Sequence, residues 1–333
     1  MIIKKIPEDF IVQEVLIAEY SPEYKGQPYM LMQLDKKGWS TMDATMYIEK
    51  WFGIKGVTSA GLKDSDGVTT QKIAVPIRDL SILSRVEDFN KDSVKENTFI
   101  HLSPIGYSDK PLEIARLEGN AFRLRLRNMD PEISREWLER KYYPLVFPNY
   151  FDKQRFGMPG YRKVTHLIGK ALLKDNDYKT AYEYVLKSGA KESKLPFNGD
   201  YKEFFDQVDP RVISFYNSAL FSADYNSRLG DLLEANGPVR IVEDEGIAFK
   251  MPADKKTIVR LMEEDDPLSL LGTFEECADN TSRNVYVSTV INFLEVTEDE
   301  YYPGRSVLTV SFFLPMGAYA TMAMKQLEIL MSK

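Results

Sequence analysis

LEGNAFRLRLR, residues 117–127, alternates with a period of two. Asn120, Phe122, Leu124 and Leu126 fall on one face, and Arg123, Arg125 and Arg127 fall on the other, the pattern of a half-buried β-strand with a basic outer face. Outward from this stretch, FIVQEVLI (10–17), YMLMQL (29–34) and residues 57–62, 69–77 and 98–103 also read as strands. Ser40 caps a helix in which Asp43 is the third residue, Met46, Ile48, Trp51 and Phe52 are apolar, and Gly53 is the stop. A second helix follows Pro131 and runs to about Tyr143. From about 164 to 235 the spacing turns helical, with apolar residues three and four apart, until Gly237-Pro238. Residues 238–300 are mixed and acidic. The end returns to a strand, SVLTVSFFL (306–314), and a helix from Ala318 to Met331. A strand-rich start, a helical middle and a strand–helix finish predict an α+β chain whose mixed-sheet domain is interrupted by an insertion.

The 333 residues are too many for one compact lobe. Forty-three basic residues against 50 acidic ones give a net charge of −7, which argues against a protein that coats nucleic acid indiscriminately. A local basic patch remains compatible with RNA, and the acidic runs lie mostly in the second half. The single cysteine, Cys277, excludes an internal disulfide, and two distant histidines, His101 and His166, cannot build a zinc site. With no signal-like start and no membrane-length apolar run, the expectation is a cytoplasmic protein with no membrane association. Nothing calls for a cofactor, a metal or an obligate protein partner.

Two nucleotide and metal motifs fail on inspection. GVTSAGLK (56–63) places Leu62 where a phosphate loop needs lysine, and the twelfth position of a calcium loop begun at Asp64 is Val75.

Four segments carry candidate chemistry: PEDFIVQE (7–14), SAGLKDSDGVTTQ (59–71), LEGNAFRLRLR (117–127) and NYFDKQRFG (149–157). Taken alone, Lys63-Asp64-Ser65-Asp66-Gly67 reads as a hairpin turn, or as a carboxylate held at a sheet mouth with a cation to keep it ionised. The 117–127 strand is either ordinary or a place where Asn120 reads a base edge, Phe122 stacks on an extruded base and the arginines meet phosphates. In 149–157, aromatics interleave with Lys153 and Arg155, which suits RNA or a structured corner equally.

In this order, the four segments resemble the TruD family of pseudouridine synthases, of archaeal type. They match its P-E-D-F-x-V-x-E, A-G-x-K-D-x-x-A-x-T-x-Q, G-N-x-F and N-Y-F-G-x-Q-R-F-G motifs. LPMGAYATMAMKQLE (314–328) is similar to the family's closing L-P-x-G-S-Y-A-T-x-x-L-R-E. The chain departs from the pattern at Gly67 (Ala in the family), Asp152 (Gly), Ala318 (Ser) and Lys325 (Arg).

The resemblance implies a mixed, largely antiparallel pseudouridine-synthase sheet with flanking helices, formed by residues 1–155 and 305–333, and an α/β TRUD domain inserted over 156–304. It implies that Asp64 is the catalytic aspartate and that Lys4 keeps it anionic. Asn120 orients it or bonds the uracil, while Phe122 packs on the base and Phe10 walls the pocket. Lys63, Arg123, Arg125, Gln154 and Arg155 are expected to bind substrate. The expected reaction is isomerisation of uridine, at position 13 of tRNA, to pseudouridine, with other structured RNAs as further partners. Two rivals stand beside it: a non-catalytic RNA-binding protein on the same fold, and a glycosidase pairing Asp64 with Asp66.

Overall fold

The computed structural model describes residues 1–63, 65–113, 117–158, 160–263 and 283–332, with only the backbone described at 261–263. By residue proximity the chain forms two compact units, Met1–Pro144 with Thr289–Gly317, and Leu145–Ser288 with Ala318–Lys333. These limits differ from a division at 155/156 and 304/305. Residues 149–157 and the terminal helix group with the second unit because side chains join them: Thr321 Oγ1 donates to Asp152 at 2.7 Å, and Gln326 Nε2 donates to the Pro252 carbonyl at 3.0 Å.

In the first unit a 3₁₀ turn, Pro7–Asp9, leads into β1 (Phe10–Leu16), then β2 (Tyr29–Lys37) and α1 (Thr41–Phe52). As the sequence predicts, Ser40 accepts a hydrogen bond from the Asp43 amide, and Gly53 closes α1 in the left-handed region with φ 71°. There follow β3 (Thr58–Ser59), β4 (Val68–Pro76), α2 (Leu83–Asp92), β5 (Phe99–Ser108), β6 (Leu117–Met129) and α3 (Pro131–Glu139). β3 is only two residues long where a strand over 57–62 is predicted. Likewise α3 ends four residues before Tyr143: Lys141, at φ 62°, turns the chain into β7 (Tyr142–Pro148), a strand the sequence reading missed.

The second unit holds α4 (Thr165–Gly169), continued by a π-helical turn over Lys170–Lys174, then α5 (Tyr178–Ser188), α6 (Tyr201–Asp206) and the 27-residue α7 (Pro210–Asn236). Asp209 caps α7 and Pro210 opens it, a start that needs no first-turn amide. The hairpin β8 (Val239–Asp244) and β9 (Ile247–Pro252) turns at Glu245-Gly246, both with positive φ, and α8 (Lys255–Glu263) follows. β10 (Tyr286–Glu298) and β11 (Ser306–Pro315) belong to the large sheet, and α9 (Ala320–Met331) ends the described chain.

The large sheet runs β5-β2-β4-β1-β6-β11-β10-β7, with β3 beside β4. β1 and β4 pair in parallel; β2–β4, β2–β5, β1–β6, β6–β11 and β10–β11 are antiparallel. The fold is the α+β, largely antiparallel sheet with flanking helices that was expected. At the β5–β2–β4 end, Met30, Met32, Leu34, Ile73, Val75, Ile100 and Leu102 pack against Ala44, Ile48 and Phe52 of α1 and Val86 and Phe89 of α2. Each such large side chain contributes about 1.5–3 kcal/mol by leaving water. In the second unit the core joins Ile168, Val185, Phe204, Phe205 and Tyr216.

Candidate active site

Register places Phe10, Asn120 and Phe122 on one sheet face. Lys36 of β2 pairs with Thr69 of β4, Thr69 with Val12 of β1, Val12 with Phe122 of β6, and Phe122 with Phe312 of β11. Paired residues point to the same side, so a row of five crosses the sheet. Beside it, Glu14 pairs with Asn120 and Asn120 with Leu314. Gly119 lets the chain do this: a Cβ there would lie 2.1 Å from the Leu314 carbonyl oxygen.

Three aromatic rings line this face. Phe122 stacks on Phe312 at 5.2 Å and 19°, and Phe10 meets Phe122 edge-on at 5.9 Å. The Lys4 ammonium sits 4.1 Å from the centroid of the Phe10 ring, within reach of its π-face. Asn120 Oδ1 is buried, as is Thr69 Oγ1, and neither bonds to any described residue. Gly67 lies against β1: a Cβ there would come within 2.4 Å of the Phe10 carbonyl oxygen, so this chain has no room for the family's Ala.

Asp64 itself lies outside the described residues. The chain leading to it is tied down on every side. The Lys63 amide donates to Thr41 Oγ1 at 2.8 Å, Thr41 Oγ1 donates to Gln71 Oε1 at 2.8 Å, and Gln71 Nε2 donates to the Gly61 carbonyl at 3.1 Å. Lys36, with no exposed surface, reaches the carbonyls of Trp39 at 2.7 Å and Lys63 at 3.2 Å. The sequence reading passed over this buried cation. The signal was there, because Lys36 is in phase with Met30, Met32 and Leu34 on the core face of β2. Phe312 and Glu14 were missed as well.

Lys63, expected to bind RNA, instead forms a buried ion pair with Glu14 at 2.8 Å. The basic face of β6 is also less free than its spacing suggests. Arg123 pairs with Glu295 at 3.4 Å and Arg125 with Glu300 at 3.6 Å. Arg127 corrects the expected solvated series, because its side chain is wholly buried. It contacts Asp9 and Asp299, which lie in the turns that close over this end of the strand.

Lys4, Phe10, Asn120 and Phe122 thus come together in the first unit. Gln154 and Arg155 lie in the second. Arg155 Nε donates to Ser222 of α7 at 3.2 Å, and its second contact is Ser218. Asp152 and Lys325, two departures from the family pattern, face each other at 3.8 Å. Lys325 also holds Asp244 at 2.7 Å, and Lys153 holds Asp244 at 2.6 Å and Glu245 at 2.8 Å. Burial resists ionisation of Asp244, but the two lysines outweigh it and lower its pKa. Lys153 lowers that of Glu245 through the same network, joined by Lys163 at 3.0 Å.

Among the described residues, no group of three or more His, Cys, Asp or Glu could hold a metal ion, and no helix is long and apolar enough to cross a membrane.

The family model for tRNA pseudouridine synthase D (TruD) matches residues 1–198. The chain belongs to the TruD family. It is therefore an isomerase of the tRNA pseudouridine synthase class. The Methanosarcina mazei protein named "Probable tRNA pseudouridine synthase D" is 26% identical over 412 residues, covering 96% of this chain and 91% of its own. The Aquifex aeolicus protein named tRNA pseudouridine synthase D is 32% identical over 206 residues, covering 58% of this chain and 48% of its own. In fold, the chain is similar to the crystal structure of a candidate TruD from Methanosarcina mazei, with a TM-score of 0.60 at 23% identity over 97% of this chain and 92% of that one.

Proposed function

We propose that this TruD chain converts uridine 13 of tRNA to pseudouridine, with Asp64 as the catalytic carboxylate. The observation that carries the substrate reading is Asn120. Its buried amide oxygen, two residues from the Phe122 ring, accepts no hydrogen bond from a described residue. Uracil offers N3–H, a donor, where cytosine offers an acceptor, so this oxygen favours the first over the second. Stacked aromatics beside it suit a base taken out of its helix, and stacking recovers part of the few kcal/mol that extrusion costs.

The reaction breaks the N1–C1′ bond, turns the uracil, joins C5 to C1′, releases the C5 proton and leaves N1 to take up a proton from water. No electrons enter or leave. Asp64 serves as a carboxylate that covers or attacks the sugar carbon as positive charge develops, and Lys4 keeps it ionised. Gln154 and Arg155 take part through the RNA.

The test is Asp64→Asn. The variant is expected to fold, to bind tRNA and to release no tritium from C5-labelled uridine. Pseudouridine formation at the wild-type rate in that variant would remove Asp64 from the mechanism, and mapping of the modified position in tRNA tests uridine 13.

A further inference from the structure

Residues 2–9 form a loop with both ends fastened to one amino acid. At one end the Ile2 amide donates to the Arg127 carbonyl at 3.0 Å, and the Arg127 amide donates back at 2.8 Å. At the other end the Arg127 side chain takes Asp9, with Nε 2.7 Å from Oδ2, and the same oxygen accepts the Ile6 amide at 3.2 Å. Between these anchors stands Lys4, with φ at 59°. A non-glycine residue keeps that left-handed conformation only where its surroundings hold it there. Its ammonium is the group that meets the Phe10 ring.

The anchor is itself held. Arg127 has no exposed side-chain surface, and its Nη1 contacts Asp299 at 3.2 Å and Glu300 at 2.9 Å. Its guanidinium also lies 4.7 Å from the centroid of the Tyr301 ring. Asp299 is fixed in turn by the amides of Asn128 at 2.8 Å and Tyr301 at 3.0 Å. A planar guanidinium with five donors can serve three carboxylates at once, which an ammonium cannot do in this geometry.

We propose that Arg127 is a positioning residue: it buckles the 2–9 loop at both ends and so sets the Lys4 ammonium beside the Phe10–Phe122 aromatic pair. This rests on the reading of Lys4 and Phe10 as site residues given above. Arg127 touches no substrate; it acts through Asp9 and Ile2.

The buckle can be opened without stranding a charge. Loss of Arg127 leaves Asp9 and Asp299 buried without their cation, so that variant is expected to be strongly destabilised and would not separate positioning from folding. Loss of Asp9 leaves Arg127 still paired with Asp299 and Glu300, so Asp9→Ala is the variant to use. It is expected to lower kcat for pseudouridine formation about 10- to 100-fold with KM for tRNA within about twofold, because the loop orients Lys4 and does not grip RNA. Hydrogen exchange should rise in residues 2–9 and stay at the wild-type rate in β2. Asp9→Asn keeps an oxygen that accepts from Arg127 and should recover most of the activity.

The decisive arm combines Asp9→Ala with Lys4→Met. If the loop acts through Lys4, the double variant is no slower than Lys4→Met alone. Wild-type kcat in Asp9→Ala, or an equal loss in both backgrounds, would overturn the proposal. Full activity of Lys4→Met by itself would instead sink the assignment of Lys4 in the proposed function, whatever Asp9→Ala does, and the loop would lose its purpose with it.

Discussion

The Lys63 ammonium and the Glu14 carboxylate meet at 2.8 Å with 7% and 0% of their side chains exposed, which makes Lys63 a structural cation. Removing one partner of a buried pair leaves the other charged and dry, at about 3–5 kcal/mol. Lys63→Met is therefore expected to lower stability by that order in chemical denaturation. The salt dependence of tRNA binding should not change. A shallower salt dependence with unchanged stability would return Lys63 to the RNA-binding residues.

Arg123 and Arg125 pair with glutamates across open surface, where an ion pair is worth at most about 1 kcal/mol and can be exchanged for a phosphate at little cost. Binding of tRNA should weaken steeply with salt despite the net charge of −7. Each of Arg123→Ala and Arg125→Ala should reduce the log–log salt slope by about 1, with folding stability altered by less than about 1 kcal/mol. Unaltered slopes, measured by titration at several salt concentrations, would take this face away from the RNA.

Phe89 has no exposed surface and meets Tyr47, Trp51 and Phe52 at ring separations of 5.8, 5.3 and 5.2 Å. Phe89→Ala opens a hole where α1 and α2 share the sheet, and should cost about 3–5 kcal/mol. Equilibrium unfolding checks it; a loss under 1 kcal/mol would mean that the helices close the gap.

Burial pushes the pKa of His166 down to about 4. The unfolded chain takes up this proton near the ordinary histidine value of about 6.5. Stability from the neutral ring is thus complete above that value and is lost as the pH falls from about 6.5 towards 4. Between pH 7 and pH 5 the wild type should lose up to about 2 kcal/mol more than His166→Phe, by denaturation at each pH. Identical slopes would show that the ring is hydrated.

Much of this was legible in the residues, and the exceptions have physical causes. The Ser40 cap, the Gly53 stop and the alternation through Phe122 depend on neighbours a few residues away, and they appear where the sequence puts them. Arg127 shares the period of Arg123 and Arg125, yet its burial is decided by Asp9 and Asp299, 118 and 172 residues away in sequence. No local pattern carries that. β7 hid because Tyr142–Pro148 contains prolines at 144 and 148 and follows a helical stretch, and β10 hid among acidic residues on its solvent side. Of the site, the motifs announced Phe10, Asn120 and Phe122. Phe312 became visible only through strand register.

Because β11 is synthesised only after residues 145–288 of the second unit, β6 leaves the ribosome with one hydrogen-bonding edge bare. Asp299 follows Arg127 by 172 residues, roughly 10–30 s at ordinary translation speeds. For that interval the nascent chain displays an unmated, aromatic-bearing strand, the kind of edge that recruits chaperones or other copies of itself.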